Sequence, residues 1–163
     1  MRPRTRALLN LLNLATPMGL AVARAGGATA RRTSDGLIVA RGYRLPVPPA
    51  PAFTVGNVIL LRERSSYTDN PWDSLPSGLR AHEVRHATQY AVCGGVLMPV
   101  LYLAASGWSW LRTGDFASRN VFERDAGLLL GGYREQPIRP LWAAAPMPFA
   151  SRSRAKAGAR SGA

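Results

Sequence analysis

The pattern of hydrophobic and polar positions predicts a helix near the N-terminus. Its apolar residues recur at intervals of three and four, the spacing of one helix face: Leu8, Leu11, Leu12 and Ala15. We expect this amphipathic helix to pack on the domain or to lie along a surface. Arginines on both sides of an uncharged run from 7 to 23 also give residues 1–25 the charge order of a signal peptide, an alternative that we favour less.

Short strand-like runs follow this helix. The runs are Leu37–Ala40, Tyr43–Leu45, Phe53–Val55 and Val58–Leu61. Gly56 and Asn57, between the last two runs, predict either a tight turn or a bulge within one bent strand. Prolines between 46 and 51 form a stiff connector, and the polar residues from 65 to 78 predict a loop.

Two further segments have helical spacing, one from Leu79 to Tyr90 and one from Asn120 to Leu130. Strands followed by helices in a chain of 163 residues predict one domain of the α+β class. We assign its core to residues 52–134. Residues 1–51 supply the basic N-terminal helix, short strands and the proline-rich connector, and residues 135–163 form a basic tail that we expect to be largely disordered after 150.

The net charge of +12 is concentrated at the two ends of the chain. Residues 1–51 contribute +7 and residues 135–163 contribute +4, whereas residues 52–134 contribute only +1. A protein that follows a phosphate backbone usually carries its positive charge on the working face. We therefore expect no specific nucleic-acid partner. The single cysteine, Cys93, excludes an internal disulfide framework.

The helix predicted over 79–90 contains an H-E-x-x-H motif, formed by His82, Glu83 and His86. Residues four apart on a helix differ by about 40° in direction and one turn of rise, so the two imidazoles project side by side. This separation lets both rings reach one zinc ion at about 2.0–2.1 Å. Glu83 lies about 100° round the helix from His82, where it can take a proton from a water whose pKa the zinc lowers to about 7.

A zinc ion that catalyses hydrolysis takes a third protein ligand and keeps one position open. The candidates are Asp115, Glu123, Asp125, Glu135 and Cys93. We favour Glu123, because Gly127 one helical turn further along would let a second helix approach closely. We expect Asp125 to point elsewhere and to pair with an arginine or with a ligand histidine, and Cys93 to be a small buried hydrophobic residue.

The segments Ala52-Phe53-Thr54-x-Gly56-Asn57-x-Ile59 and Leu79-x-Ala81-His82-Glu83-x-x-His86-x-x-Gln89 resemble the HExxH domain of unknown function associated with bacterial contractile injection systems and polymorphic toxins. More broadly, the two histidines with a later glutamate resemble the gluzincin class of zinc peptidases. This resemblance covers residues 52–134. It implies a small zincin-like domain in which a short β unit lies beside an active-site helix and a glutamate-bearing helix, with one Zn²⁺ ion and Glu83 as the base.

The chain departs from the gluzincin pattern in one respect. Thermolysin-like members have an aspartate four residues after the ligand glutamate, where this chain has Gly127. No tyrosine or histidine matches the position that stabilises an oxyanion in the family. Tyr133 could serve there, although we favour a packing role for it.

No charged residue occurs from Ala87 to Leu111. As one helix, these 25 residues would be about 37 Å long, enough to cross a bilayer. Gly94, Gly95 and Pro99 interrupt the stretch, so a helix that ends near Gly94 and a second apolar helix from Met98 to Trp110 fit equally well. We favour a buried or peripheral hairpin, and a cytoplasmic or peripheral-membrane location over secretion. Contact with a membrane surface stays open.

Together, these patterns predict a zinc-dependent metallopeptidase with His82, His86 and Glu123 as ligands. We expect its substrate to be a peptide docked on a strand edge near Val55–Leu61. One alternative is a non-catalytic zinc scaffold that mediates interactions in a secretion or toxin assembly, and another is a basic protein of the membrane surface. The intact motif favours the enzyme, because a scaffold has no need of Glu83.

Overall fold

A computed structural model describes residues 1–65, 75–140 and 142. In this part of the chain, helices and a small mixed sheet form an α+β domain, as the sequence predicts. The helices are α1 (Pro3–Leu12), α2 (Ala15–Ala25), α3 (Ser77–Val92), α4 (Met98–Thr113) and α5 (Val121–Ala126), with a short 3-10 turn (Gly95–Leu97) before α4. The strands are β1 (Thr29–Arg32), β2 (Ile38–Tyr43), β3 (Ala52–Val55) and β4 (Val58–Arg62). Most of the predicted loop at 65–78 and the predicted disordered tail lie outside the described residues.

The strands form one sheet in the order β1-β2-β4-β3. β2 and β4 are parallel, and the outer pairs β1·β2 and β3·β4 are antiparallel. Val55 pairs with Val58, so Gly56 and Asn57 form a two-residue hairpin turn, with Gly56 at a φ of 61°. Both edges of β4 are paired, so the predicted docking edge near Val55–Leu61 is wrong for most of its length. The edge strand of the hairpin is β3.

β4 lies between two helical layers. Val58 and Leu60 belong to the hydrophobic cluster that contains Ala23 of α2, whereas Ile59 and Leu61 belong to the cluster that contains Leu79 of α3. A strand that is buried on both faces needs apolar residues at every position. This requirement accounts for the uninterrupted apolar run that the sequence shows from 58 to 61.

Two of the other strands differ from the sequence prediction. β2 runs from Ile38 to Tyr43, so the predicted strand over Tyr43–Leu45 is wrong beyond its first residue. β1 was not predicted at all, because its four residues are exposed and three of them are Thr or Arg. A strand with no buried face has no apolar alternation to reveal it.

The N-terminal segment is helical, but Leu8, Leu11 and Leu12 do not pack on the domain, so of the two predicted placements the packed one is wrong for these residues. α1 buries Arg6 and Asn10. Nε of Arg6 donates to Oδ1 of Asn57 at 3.0 Å, and Nδ2 of Asn10 donates to the carbonyl oxygen of Ala87 at 2.8 Å. These two bonds turn the polar side of α1 inwards, and its leucines are exposed: Leu8, Leu9, Leu11 and Leu12.

The uncharged stretch 87–111 is two helices, as one of the alternatives predicts. α3 ends at Val92, and α4 begins at Met98 after the turn at Gly94 and Gly95. Of the buried and peripheral placements that we favour, the buried one is wrong for α4, because most of its large apolar side chains are exposed. Among the described residues no single helix is long and apolar enough to cross a membrane, but α1 with α2 and α3 with the segment Gly95–Thr113 are bent pairs that reach the required length and composition together.

α5 is shorter than the predicted helix over 120–130. It ends at Ala126, because Gly127 has a φ of 87°, which lies outside the range of a right-handed helix. The helical segment predicted from Asn120 to Leu130 is therefore wrong beyond Ala126. Gly127 ends the helix rather than admitting a neighbouring one.

Candidate metal centre

His82 and His86 occupy successive turns of α3 and are both buried. Their rings meet edge to face, with centroids 4.6 Å apart, and their Nε2 atoms are 3.1 Å apart. The side-by-side arrangement predicted from the four-residue spacing is confirmed. The two nitrogens point at a common position, which is the arrangement that one metal ion requires of two histidines.

Glu123 lies in the first turn of α5, where the side chain of Asn120 caps the helix by accepting a bond from the backbone N–H of Phe122 at 2.9 Å. Oε2 of Glu123 lies 3.3 Å from Nε2 of His82, and Oε1 lies 3.5 Å from Nε2 of His86. Three donors bound at about 2.0–2.1 Å on the corners of a tetrahedron lie about 3.3 Å apart. The spacing of these three side chains matches that geometry.

Hydrogen bonds to the far side of each ring set its protonation. Nδ1 of His82 faces the carbonyl oxygen of Gly127 at 3.2 Å, and Nδ1 of His86 faces Oε1 of Gln89 at 2.8 Å. Both partners are acceptors, so each Nδ1 carries the proton and donates it. In the neutral form of each ring, Nε2 then has a lone pair, and it faces the other Nε2 and Glu123.

Gln89 continues this network outwards. Its amide nitrogen donates to the carbonyl oxygen of Phe122 at 2.9 Å and to Oδ2 of Asp125 at 2.7 Å, which leaves Oε1 as the acceptor for His86. Asp125 also accepts two bonds from Arg85, at 2.6 and 2.7 Å. The expected arginine pair of Asp125 is confirmed, and its link to a ligand histidine runs through Gln89.

The charges of the group favour a cation at its centre. Burial alone would raise the pKa of Glu123, but the bonds to His82 and His86 outweigh it and hold that pKa well below its ordinary value. Burial alone would lower the pKa of His86, but the bond and charge of Glu123 outweigh it and raise that pKa. Oε2 of Glu123 is buried without a hydrogen-bond partner. A proton on an Nε2 can bridge to Glu123 when no ion is bound, and a cation at the centre would take the place of that proton, so this group could bind a metal ion.

Glu83 is buried next to the group, and β3 holds its side chain. The hydroxyl of Thr54 donates to Oε2 of Glu83 at 2.7 Å. Burial raises the pKa of Glu83, and the charges of the histidines and the bond from Thr54 oppose the rise only in part. A buried carboxylate with a raised pKa is suited to accept a proton near neutral pH.

The other candidate ligands have different partners. Oδ1 of Asp115 accepts bonds from the backbone N–H groups of Ala117 and Ser118. Glu135 pairs with Arg119 and Arg124. Cys93 is half-buried and packs against the cluster that contains Tyr90 and Met98. Of the candidates, only Glu123 approaches the two histidines.

Several residues that support the centre were missed by the sequence analysis. The hydroxyl of Tyr102, on α4, donates to Oε1 of Glu123. Gly131 lies against the ring of His82 so closely that an added Cβ would be 2.4 Å from Cε1 of that ring. Neither contact leaves a local signal in the sequence, because each joins elements that are more than twenty residues apart. Gln89 could have been found, since three residues after His86 is a neighbouring position on a helix.

A cleft of about 390 Å³ opens beside the centre. Glu83 and the three candidate ligands line one part of it. The remaining lining is mainly apolar and comes mostly from α2, β3, α4 and the connector before β3: it includes Met18, Val22, Val47, Phe53, Met98 and Leu103. Tyr133 also lines the cleft, with its ring centroid 6.2 Å from that of His82, and burial raises the pKa of its hydroxyl.

Comparison of the chain with models of protein families, with curated proteins and with solved structures found no match in any of the three. The gluzincin resemblance is therefore carried by its motif residues alone and stays a prediction. The buried group of His82, His86 and Glu123 stands on its own geometry.

Proposed function

We propose that this protein is a zinc-dependent metallopeptidase. The observation that carries the proposal is the triangle of His82, His86 and Glu123 beside the buried carboxylate of Glu83. A metal that only stabilises a fold is usually closed by four protein ligands, whereas a catalytic zinc has three and an open position. Two histidines and one carboxylate, facing a cleft, match the catalytic pattern.

The donor set supports zinc among the possible ions. Two neutral imidazoles and one carboxylate suit a borderline ion such as Zn²⁺, whereas Mg²⁺ and Ca²⁺ take mainly oxygen ligands. Zinc held here would lower the pKa of a water molecule and polarise a carbonyl group. The protein itself fixes the rings through Gly127 and Gln89 and the carboxylate through Tyr102.

Glu83 is the proposed proton acceptor. Its Oε2 is engaged by Thr54, so the carboxylate has a fixed orientation at the cleft. It would take the proton of the attacking water and deliver it to the leaving amine of the peptide. Tyr133 remains protonated at neutral pH, because burial raises the pKa of its hydroxyl, and it can donate a hydrogen bond to a developing oxyanion in the cleft.

Among the described residues no strand pairs with the outer edge of β3, which supports an extended peptide as the substrate. The backbone N–H of Arg62 donates to the carbonyl oxygen of Pro51 at 3.0 Å. From this pair onwards, facing residues of β3 and β4 alternate between non-hydrogen-bonded and hydrogen-bonded pairs. Ala52 and Thr54 therefore direct their backbone groups away from β4 and towards the cleft side. A peptide strand pairing with these groups would lie along the cleft, and its apolar side chains would meet Phe53 and Met98.

Glu83→Gln is the direct test, because the amide keeps the shape of the side chain but accepts no proton. We expect full-length protein reconstituted with Zn²⁺ to cleave members of a peptide library, as followed by mass spectrometry. Glu83→Gln should bind zinc like the parent protein and cleave at least about 100-fold more slowly. His82→Ala should lose stoichiometric zinc, as measured by elemental analysis.

Two results would contradict the proposal in different ways. If the protein takes up no zinc on reconstitution, the proposed metal centre is excluded. Protein that binds zinc but cleaves no peptide in the library keeps the centre and favours the non-catalytic scaffold. Loss of zinc in Glu83→Gln would make Glu83 a ligand or structural residue rather than the base.

A further inference from the structure

α4 has its polarity inverted relative to a helix of a water-soluble domain. The residues that it buries include Ser106, Ser109 and Thr113. Its exposed residues are all apolar: Val100, Leu101, Leu103, Ala104, Trp108 and Leu111. The buried hydroxyls are satisfied inside the protein, since Ser109 donates to the carbonyl oxygen of Asp115 at 2.7 Å and Ser106 accepts from Asn120 at 2.9 Å. A helix whose buried hydroxyls are satisfied inside the protein and whose exposed residues are all apolar fits an apolar surrounding.

α1 is inverted in the same way. It buries Arg6 and Asn10 in hydrogen bonds to other elements, and every exposed residue from Leu8 to Leu12 is a leucine. Leu12 alone is 70% exposed. Two helices from distant parts of the chain therefore bury polar side chains and expose an apolar face. A single exposed leucine would be ordinary, but two such faces are not.

The ends of these helices meet. The α1–α2 turn at Asn13 touches the α3–α4 turn at Gly95, where an added Cβ would lie 2.4 Å from the carbonyl oxygen of Asn13. Nδ2 of Asn13 also donates to the carbonyl oxygen of Tyr90 at 3.1 Å. We call the exposed apolar residues that flank this contact the apex surface: Leu11, Leu12, Leu14, Val96, Leu97 and Val100. Leu14 takes a φ of 65°, a conformation that costs a leucine more than a glycine or an asparagine, and its side chain is exposed.

The two uncharged stretches that carry these apolar surfaces are flanked in the sequence by arginines. No charged residue occurs in 7–23 or 87–111. Arg4 and Arg24 are exposed outside the first stretch, and the guanidinium of Arg112, just after the second, lies 5.6 Å from the ring centre of the exposed Trp108. The outer face of α4, with Arg112 beside its exposed Trp108, complements the acyl chains and anionic headgroups of a bilayer.

We propose that the apex surface and the outer face of α4 insert into the interfacial region of a bilayer that contains anionic lipids. α4, with 16 residues, is about 24 Å long, shorter than the hydrocarbon core of about 30 Å. The bends of 78° and 114° within the two helix pairs favour a helix lying in one leaflet over one that crosses it. Leu103, which is 68% exposed, also lines the cleft, so the inserted face continues to the cleft. The proposal does not depend on the proposed hydrolysis.

Binding to vesicles tests the proposal with the full chain and without added metal. We expect the protein to co-sediment with vesicles of phosphatidylcholine and phosphatidylglycerol, and more weakly with phosphatidylcholine alone. Leu12→Asn with Val100→Asn should weaken the partition at least about tenfold, because each change removes an inserted apolar side chain. Both residues are exposed, so the thermal melting of the double variant should match that of the parent. Leu129→Asn is the control, since Leu129 is 79% exposed but belongs to the segment after α5.

A second measurement uses a side chain of α4 itself. Lipids brominated on their acyl chains should quench the tryptophan fluorescence of bound protein, and Trp108→Phe should remove much of that quenching. Absence of vesicle binding would overturn the proposal, and so would binding that the double variant leaves unchanged, because attraction through arginines alone would explain it. Concentration-dependent self-association that the double variant abolishes, without vesicle binding, would assign the surface to a second copy of the chain instead.

Discussion

The hydroxyl of Thr54 donates a 2.7 Å hydrogen bond to Oε2 of Glu83 and lies 3.3 Å from the backbone carbonyl oxygen of the same residue. Thr54 belongs to β3, whose outer edge is the proposed substrate site. The side chain of this residue therefore orients the proposed base, while its backbone faces the proposed peptide. One strand residue couples the position of the carboxylate to the position of the substrate.

Thr54→Val should lower peptide cleavage about tenfold or more without loss of zinc. Valine has nearly the shape of threonine but donates no hydrogen bond, and a bond to a charged group is worth about 1.5–3 kcal/mol. Thr54→Ser retains the hydroxyl and should stay closer to the parent rate. Steady-state cleavage of one library-derived peptide, with zinc content measured on the same samples, provides the check. Equal rates for Thr54→Val and the parent would show that the bond does not orient the base.

Glu123→Ala should weaken zinc binding far more than Asp125→Ala or Asp115→Ala. Only Glu123 reaches the histidines, whereas Asp125 acts through Gln89 and Asp115 caps a turn. Competition with a chromophoric zinc chelator gives the three affinities. An equal loss for Asp125→Ala and Glu123→Ala would contradict the assignment of Glu123 as the third ligand.

Gln89→Leu should reduce zinc affinity about 10–100-fold, the usual effect of removing a partner that orients a ligand histidine. Leucine is similar in size but does not accept the bond from Nδ1 of His86. Arg85→Gln is the matched control, because it removes the exposed pair with Asp125 and leaves the bond between Gln89 and His86 in place. We expect it to change zinc affinity little. If Arg85→Gln lowered the zinc affinity more than Gln89→Leu, the role of Gln89 in orienting His86 would be contradicted.

Gly131→Ala should impair zinc binding through a steric effect. The added methyl group would lie 2.4 Å from Cε1 and 2.7 Å from Nε2 of His82, so the ring or the segment must move. Gly107→Ala is the control, because an added Cβ there has nothing within 4 Å and alanine favours the helix by about 0.5–1 kcal/mol. Calorimetric zinc titration and thermal melting of both variants separate a steric effect on the ring of His82 from a general change in stability. Parent-like zinc affinity in Gly131→Ala would mean that the ring of His82 adapts.

Asp35→Asn should destabilise the protein at neutral pH and have less effect in acid. Burial alone would raise the pKa of Asp35, but the bond from Thr33 and the charge and bond of Arg80, at 2.6 Å, outweigh it and lower that pKa. A lowered pKa in the folded state stabilises the protein above the ordinary aspartate value of about 3.9, and this contribution is lost as the pH falls through the folded-state pKa. The pair is partly exposed, so we expect less than about 1 kcal/mol at pH 7.

Urea unfolding of the parent and of Asp35→Asn, at neutral pH and at a pH well below the ordinary aspartate value of about 3.9, measures this difference. The two free energies of unfolding should converge at the lower pH. A difference that persists there would come from packing or hydrogen bonding rather than from the charge of Asp35.

The sequence by itself was sufficient for features that depend on local geometry. The four-residue spacing of His82 and His86 brings their rings together on any helix, and Glu83 follows with them. The α+β class follows from separate strand and helix patterns, and the break between α3 and α4 follows from Gly94 and Gly95. Each of these signals lies in a short run of consecutive residues.

The tertiary structure decided the features that depend on which elements meet. It brings Glu123 to the histidines, Thr54 to Glu83 and Gly131 to His82, contacts that join residues at least 29 positions apart. It also made β3 rather than β4 the edge strand. Apolar periodicity identifies a helix face but not what that face meets. In α1 the bonds of Arg6 and Asn10 to distant partners turned the polar side inwards and left the leucines exposed, and no local pattern contains those partners.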